Sequence, residues 1–271
     1  MCPATDVLDL VTEMKTRGEP FALATVVRTV SVTAAKAGAK AVIRRDGSIS
    51  GGWIGGGCAR AAVLKAARES LVDGRSRLVS VQPGDLLDER GLQPGQTREG
   101  VVFARNFCPS QGTMDIFVEP MLPRPLLVVF GSSPVALALT RLAPELGFRV
   151  ALRVRPGDAF PSLDDAAEGF ALPPGAEGPR YLVVATQGSG DEAALRAALV
   201  VEAQHRAFVG SRRKIEALRA KLQAEGQPAE ALEQVKAPAG LDLGGITPEE
   251  IALSILAEIV LIRRAGARET G

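Results

Sequence analysis

Histidine occurs once in this chain of 271 residues, at His205. A zinc site built on histidines is thereby excluded, and a Ser/His/Asp triad would have to rest on this one side chain, which has no Ser or Asp motif beside it. His205 opens the strand-like stretch His205-Arg206-Ala207-Phe208-Val209 and reads as an ordinary strand-end residue. Cysteine is nearly as scarce. Cys2, Cys58 and Cys108 form no CxxC pair and are expected to stay reduced in the cytoplasm. An excess of one charge is missing too: 32 Lys and Arg face 31 Asp and Glu, so the concentrated positive surface that nucleic acid demands is not expected. No apolar run approaches the ~20 residues of a membrane-spanning helix. The first twenty residues carry Asp6, Asp9, Glu13, Lys15 and Arg17, and read as neither a signal nor a transit peptide.

What the chain does have is a soluble composition, 46% hydrophobic, and length for roughly two domains at ~100–200 residues each. It also has Gly51-Gly52-Trp53-Ile54-Gly55-Gly56-Gly57-Cys58, which surrounds the only Trp with five glycines. Each ordered Gly costs ~0.5–1 kcal/mol more than Ala, and a run this dense implies positive φ angles or close approach to something. Ala59 to Val72 lacks Pro and Gly and spaces Val63, Leu64, Ala67 and Leu71 as a helix does, which puts Cys58 at a helix N-terminus. Unpaired N–H groups there attract anions and lower a thiol's pKa. Gly55, Gly56, Gly57 and Cys58 read as a phosphate nest, a reactive thiolate, or both in turn, against a plain strand-to-helix turn holding a half-buried Cys.

Ahead of that run, Asp6 to Arg17 predicts an amphipathic helix and Phe21 to Arg28 a buried strand. Ser31 to Lys40 is a small-residue loop with two lysines, and Ala39–Arg44 with Ser48–Ser50 predicts a hairpin at Asp46-Gly47. Beyond the helix, Leu78–Val81 predicts a strand, and Pro83 to Gly100 a polar, mobile loop. Val101–Phe107 and Met114–Val118 predict strands around the turn Cys108-Pro109-Ser110-Gln111-Gly112. If the sheet brings this turn to the glycine run, two thiols and a nest of backbone donors share one cleft.

Met121-Leu122-Pro123-Arg124-Pro125 predicts the linker between domains at 1–122 and 125–271. The predicted class is α/β, an N-terminal mixed α+β domain followed by a Rossmann-like parallel sheet. Leu126–Phe130, the turn Gly131-Ser132-Ser133-Pro134-Val135-Ala136, a helix to Leu146 and the strand Arg149–Val154 make a β-turn-α-turn-β unit of dinucleotide-binding size. Ser133 stands where a second Gly would admit a pyrophosphate, and Arg153-Val154-Arg155 stands where an acid would hold a ribose. An ordinary NAD site is disfavoured. Arg153 and Arg155 suit a phosphate or another nucleotide, unless the scaffold holds no dinucleotide at all. Tyr181–Thr186, Glu192–Val201, Ala207–Val209 and Ile215–Glu225 continue the alternation, with loops at Gln187-Gly188 and Gly210-Ser211-Arg212 on the ligand-binding edge. Pro248 to Arg264 predicts a closing helix capped by Thr247.

In order along nearly the whole chain, Gly38-Ala39-Lys40, Gly55-Gly56-Gly57-Cys58, Cys108 with Gly112, Val128 to Ala136, Thr186-Gln187-Gly188, Gly210 to Lys214, Gly240 to Gly244, Thr247 to Ala252 and Ala257-Glu258-Ile259 resemble the XdhC/CoxI family. Members are maturation factors of molybdenum hydroxylases such as xanthine dehydrogenase and carbon monoxide dehydrogenase. The resemblance implies a largely non-catalytic chaperone that carries the molybdenum cofactor, as molybdopterin or its cytosine dinucleotide, assists its sulfuration and delivers it to an apo molybdenum hydroxylase. It implies Cys58 and Cys108 at the metal or its sulfur, Lys36, Gly38 and Lys40 with the glycine nest around the anionic part, and Gly131, Ser132, Ser133, Pro134, Arg153, Gln187, Gly188, Ser211 and Arg212 as a nucleotide seat. The resemblance also implies a sulfur-donor protein as a partner; a homodimer is expected because small two-domain carriers commonly self-associate through an exposed apolar edge, and the composition predicts no nucleic acid and no membrane span. Ala34-Ala35 replaces a Pro-Arg pair common in the family, and Ala59-Arg60 replaces a Glu, departures that bear on the client more than on the fold. Two competing functions are an oxidoreductase using FAD or NAD(P) at Gly131–Ala136 during assembly of the client's active site, and a structural assembly protein that holds no cofactor.

Overall fold

The computed structural model describes residues 6–109, 111–172 and 178–268, without the side chains of Cys58 and residues 266–268. Contacts divide the chain into two compact units, Met1–Pro123 and Arg124–Gly271.

In the first unit, helix α1 (Val7–Arg17) starts at the N-cap Asp6, whose carboxylate accepts the Leu8 N–H, and stops at Gly18 in the left-handed conformation. Strand β1 (Phe21–Val30) pairs with β2 (Lys40–Arg44) and with β7 (Thr113–Met121), both antiparallel. Strand β3 (Ile49–Gly52), helix α2 (Gly57–Asp73), and strands β4 (Arg77–Pro83), β5 (Thr97–Arg98) and β6 (Val101–Asn106) complete the unit. The sheet order is β3-β2-β1-β7-β4-β6-β5, with β4 and β6 parallel. Its period-two alternation sends Ala22, Ala24 and Val26 of β1 and Met114, Ile116 and Val118 of β7 to one face, where Val63, Ala67 and Leu71 of α2 cover them. Val11 and Met14 of α1 pack with Phe21 and Val42 in a smaller cluster. The expected loop at Pro83–Gly100 instead contains α3 (Gly84–Glu89) and β5, because Leu87 and Leu92 are buried and give this polar stretch two apolar anchors.

The second unit is a six-stranded parallel sheet of β8 (Leu126–Phe130), β9 (Arg149–Val154), β10 (Ala166–Glu168), β11 (Arg180–Val184), β12 (His205–Phe208) and β13 (Val235–Lys236). Its order is β10-β9-β8-β11-β12-β13, the 3-2-1-4-5-6 order of the Rossmann fold, with the strand order reversing between β8 and β11. Helix α4 (Pro134–Leu142) and the long α8 (Pro248–Arg268) cover one face through Leu139, Ile255 and Ile259. On the other face α5 (Asp191–Leu199) and α6 (Arg212–Ala224) place Leu195, Ile215 and Leu222, while α7 (Ala229–Glu233) adds Leu232. Both faces are buried, so the strands read as continuous apolar runs. The short β10, α7 and β13 had no sequence signal, since two to five residues are too few to show a period. No helix among the described residues is long and apolar enough to cross a membrane.

Candidate functional site

The glycine run splits into two parts with different physical reasons. Gly52 has φ +79°, and a Cβ there would lie 2.1 Å from the Lys40 carbonyl oxygen, the same oxygen that accepts the Trp53 N–H at 2.8 Å. That glycine is dictated by the sheet edge. Gly56 and Gly57 have neither a positive φ nor any atom within 4 Å of an added Cβ. Nothing in the unit requires them, yet α2 begins there with Gly56 as its N-cap, no side-chain cap and no acidic residue in the first turn. The leading N–H groups of α2 thus have no side-chain cap. Cys58 is the second residue of α2, and its side chain lies outside the described residues.

The turn after β6 reaches the same place. Asn106 accepts the Cys108 N–H at 2.9 Å and donates its amide to the Gly112 carbonyl at 2.7 Å, which fixes the backbone that presents the exposed Cys108. Gly56, Gly57 and Ala59 on one wall and Asn106, Cys108 and Gly112 on the other line a cavity of about 280 Å³, closed by Val32–Ala34. This volume stands at the lower edge of small-molecule sites, about 300–1,000 Å³. The described lining has no charged side chain. Lys36, Gly38, Lys40 and Gly55 are not among the lining residues: Gly38 donates its N–H to the Val26 carbonyl across the β1–β2 connection, and Lys40 is a sheet residue of β2. The two lysines expected to hold an anion with the glycine nest thus stand outside the lining of this cleft. Among the described residues no group of three or more His, Cys, Asp or Glu could hold a metal ion.

In the second unit Gly131, at φ +112°, ends β8 where a Cβ would lie 2.6 Å from the Ala185 carbonyl oxygen and 2.7 Å from the Thr186 Cα. The first βα turn then spends its donors internally. Ser133 caps α4 by accepting the Ala136 N–H, Pro134 at the head of the helix has no N–H, and the Ser132 hydroxyl donates to Asp158 at 3.0 Å. Hydrogen bonds from Arg155 and Ser132 hold the Asp158 carboxyl below the usual carboxylate range. Arg153 is 4% exposed, and its guanidinium donates to the Asp165 carboxylate and to the carbonyls of Leu152, Asp165 and Ala171. Its expected role as a nucleotide ligand is corrected to that of a strut joining β9 to the chain beyond.

At the reversal point of the sheet, Ser133, Pro134, Val135, Ala185, Gln187, Val209 and Ile251 border a cavity of about 310 Å³. Gln187 takes φ +52° there, within the tight turn that Asp191 organises. Asp191 accepts from the Thr186 hydroxyl, from the Gly188 N–H at 2.9 Å and from Lys214 at 2.5 Å. Burial acts to raise its pKa, but these bonds from Lys214, Thr186 and Gly188 outweigh burial and leave it lowered. Ser211 caps α6, and with Arg212 it borders a larger cavity of about 880 Å³ walled by the chain from Lys236 to Gly245. Gly131, Ser133, Gln187, Gly188, Ser211 and Arg212 thus all lie at the carboxyl edge of one sheet.

A family model described as the XdhC Rossmann domain matches residues 127–259, and one described as the XdhC and CoxI family matches residues 14–82. The chain belongs to the XdhC and CoxI family. Among curated relatives of this XdhC/CoxI chain, a protein of Escherichia coli (strain K12) named YqeB, itself uncharacterized, is 28% identical over 90% of this chain and 44% of its own length. A protein of Bacillus subtilis (strain 168) named as a probable xanthine dehydrogenase subunit is 28% identical over 56% of this chain and 47% of its own length. The chain spans about half the length of these curated relatives. A solved structure titled a xanthine dehydrogenase from Bacillus halodurans is 20% identical, with a TM-score of 0.45 over 97% of each chain.

Two participants of the XdhC/CoxI chain's Rossmann half escaped the sequence reading. Asp158 sits in a Gly157-Asp158 turn, a pattern that marks a turn but not its partner Ser132 across 26 residues. Asp191 opens α5 after Gly188-Ser189-Gly190, where an acid signals a helix start, and only the fold brings Lys214 to it.

Proposed function

We propose that this protein carries the molybdenum cofactor as cargo in the cleft between the α2 N-terminus and the Cys108 turn. In this role it is a maturation chaperone that assists sulfuration of the cofactor and its insertion into a molybdenum hydroxylase, xanthine dehydrogenase or carbon monoxide dehydrogenase. The observation that carries the reading is the pair Gly56 and Gly57, which the unit does not need for its backbone or its packing and which line the cavity with Cys108 at a helix start that no side chain caps. Backbone donors suit the anionic phosphate of the cargo, and thiolates at Cys58 and Cys108 suit its sulfur-bound metal. Membership of the XdhC and CoxI family and the name of the Bacillus subtilis relative support a client of the xanthine dehydrogenase kind. The reading extends to a sulfur-donor protein as a second partner, to a homodimer and to a cytoplasmic setting. The order of the parallel sheet favours a dinucleotide oxidoreductase as a second reading, with FAD or NAD(P) in the Rossmann half, but the internally bonded turn at Ser132–Pro134 works against it.

The test is the molybdenum, pterin, flavin and nicotinamide content of the protein purified from a cofactor-replete host, compared with Cys58→Ser and Cys108→Ser. Molybdenum and pterin are expected with the parent chain and reduced in both variants. Flavin or NAD(P) alone, equal in all three, overturns the chaperone reading.

A further inference from the structure

We infer that Phe107 is the stacking wall of the cleft, taking the flat pterin ring of the cargo against its own ring, and that Arg105, seated on Gly84, positions it. The inference rests on the chaperone reading above. Phe107 borders the cavity of about 280 Å³ together with Cys108, and it is 74% exposed. Val32 borders the same cavity and is 69% exposed. Two large apolar side chains thus stand in solvent at the rim of one cavity, where a bound ring buries them.

The aromatic side chain is held where it stands. Asn106, the residue before it, bonds the Cys108 N–H and the Gly112 carbonyl, which fixes the backbone on both sides of Phe107. The Arg105 guanidinium lies over the Phe107 ring, with its Cζ 5.3 Å from the centroid. That guanidinium has a seat of its own. A Cβ added at Gly84, the first residue of α3, would lie 2.5 Å from Arg105 Nε and 2.7 Å from its Cζ. Gly84 has no positive φ, so the close approach of the guanidinium is what asks for a glycine there. Arg105 makes no ion pair among the described residues, and the partner it has is the ring. The sequence thus gives up a side chain at Gly84 to place a cation against an exposed aromatic at the edge of the cleft.

The rest of the lining suits a ring as well. Gly112 lies so close to the preceding loop that an added Cβ would meet the Val32 carbonyl oxygen at 2.3 Å, which fixes the backbone of that wall. Val81 and Met114 extend the apolar lining, and a thioether adapts to an aromatic edge. With no charged side chain in the described lining, stacking and dispersion are the attractions on offer to the ring itself. A pterin is a two-ring heterocycle like a purine, and such heterocycles stack on aromatic side chains. Walls held in place before binding lose less ordering entropy. The cargo is then divided between two parts of the cleft, its ring on Phe107 and its anionic end at the start of α2.

The experiment titrates 6-carboxypterin into the full chain purified from a host that makes no molybdenum cofactor, for the parent, Phe107→Ala, Phe107→Trp and Arg105→Ala. Calorimetry gives the affinity, and the emission of the pterin reports contact with its ring. Phe107 and Arg105 are exposed, so all variants are expected to keep the parent thermal midpoint. Affinity is expected to fall about tenfold or more in Phe107→Ala, and by less in Arg105→Ala, where the ring remains but loses its hold. Phe107→Trp is expected to keep the affinity and to quench the pterin emission beyond the parent, because an indole in stacking contact quenches an excited pterin. A residue that served only the fold would not give that signature. No binding at millimolar concentration, equal affinity in the parent and Phe107→Ala, or unchanged emission in Phe107→Trp overturns the inference, and equal affinity in the parent and Arg105→Ala removes the positioning role. The chaperone reading is decided separately, by the molybdenum and pterin content of the parent from a cofactor-replete host, so the two fail by different measurements.

Discussion

The turn into α2 and the turn into α4 are both glycine-led passages from a strand to a helix, and they end in opposite states. At α4 the glycine is forced by the sheet, the N-cap is a serine that bonds its own helix, and the next serine bonds a carboxylate. At α2 the last two glycines are forced by nothing, the cap has no side chain, and both glycines line a cavity shared with Cys108. A helix N-terminus is an anion site only while its donors are unspent. The same local pattern therefore stabilises the fold in one unit and opens a site in the other. Buried charge divides along the same line: Arg153, Asp191 and Glu258 are all in the Rossmann half, whereas Ser70, Ser80 and Gln82 of the first unit are neutral.

The largest effect expected from this contrast is at Gly131. Gly131→Ala places a methyl group against backbone atoms that cannot rotate away and imposes a positive φ on a non-glycine residue, so a loss of about 3 kcal/mol or more in chemical denaturation is expected. A loss no larger than a surface substitution gives would erase the distinction between forced and unforced glycines.

Acid sensitivity comes next and belongs to the Rossmann half. His205 contacts Glu258 at 3.3 Å, and burial together with the Lys236 cation pushes its pKa from 6.5 down to about 4. The unfolded chain binds this proton first, so the stability contributed by neutral His205 is whole above pH 6.5 and is lost as pH falls toward about 4. The size is up to about 3 kcal/mol from the linkage relation. Because the chain has one histidine, His205 is the side chain whose ordinary pKa lies at the upper end of that window, while the carboxylates begin to titrate at its acid end. His205→Gln should flatten the stability curve there, and parallel curves for parent and variant would remove the assignment.

The smallest effect has the opposite sign. Gly57→Ala is expected to stabilise the protein by about 0.5–1 kcal/mol, as a helix residue in open space should, while lowering retention of molybdenum and pterin. Higher stability with cargo content unchanged would break the comparison at its functional end.

Most of the elements were legible in the sequence because local rules decide them. Apolar runs bounded by Gly and Pro marked β8, β9, β11 and β12, and a capped, Pro-led start marked α8, whose Thr247 and Glu250 bond one another's backbone N–H groups as a capping box requires. Pro83–Gly100 was misread because α3 owes its existence to the burial of Leu87 and Leu92, which no window around them reveals. The candidate site was legible only in part. The glycine run and Cys108 stood out by composition, yet Lys36 and Lys40 looked equally suited to an anion and do not line the cleft. Arg153 looked like a phosphate ligand until its four hydrogen-bond partners appeared.

By itself, the sequence determined the alternation of elements, the break near Pro123 and Pro125, and the places where the backbone must turn, because periodicity, proline and glycine act over a few residues. Tertiary structure alone decided which turns keep their donors and where each charge is spent. Ser132 meets Asp158 across 26 residues and Lys214 meets Asp191 across a sheet edge, and whether an N–H or a guanidinium remains open to a ligand depends on neighbours that only folding supplies.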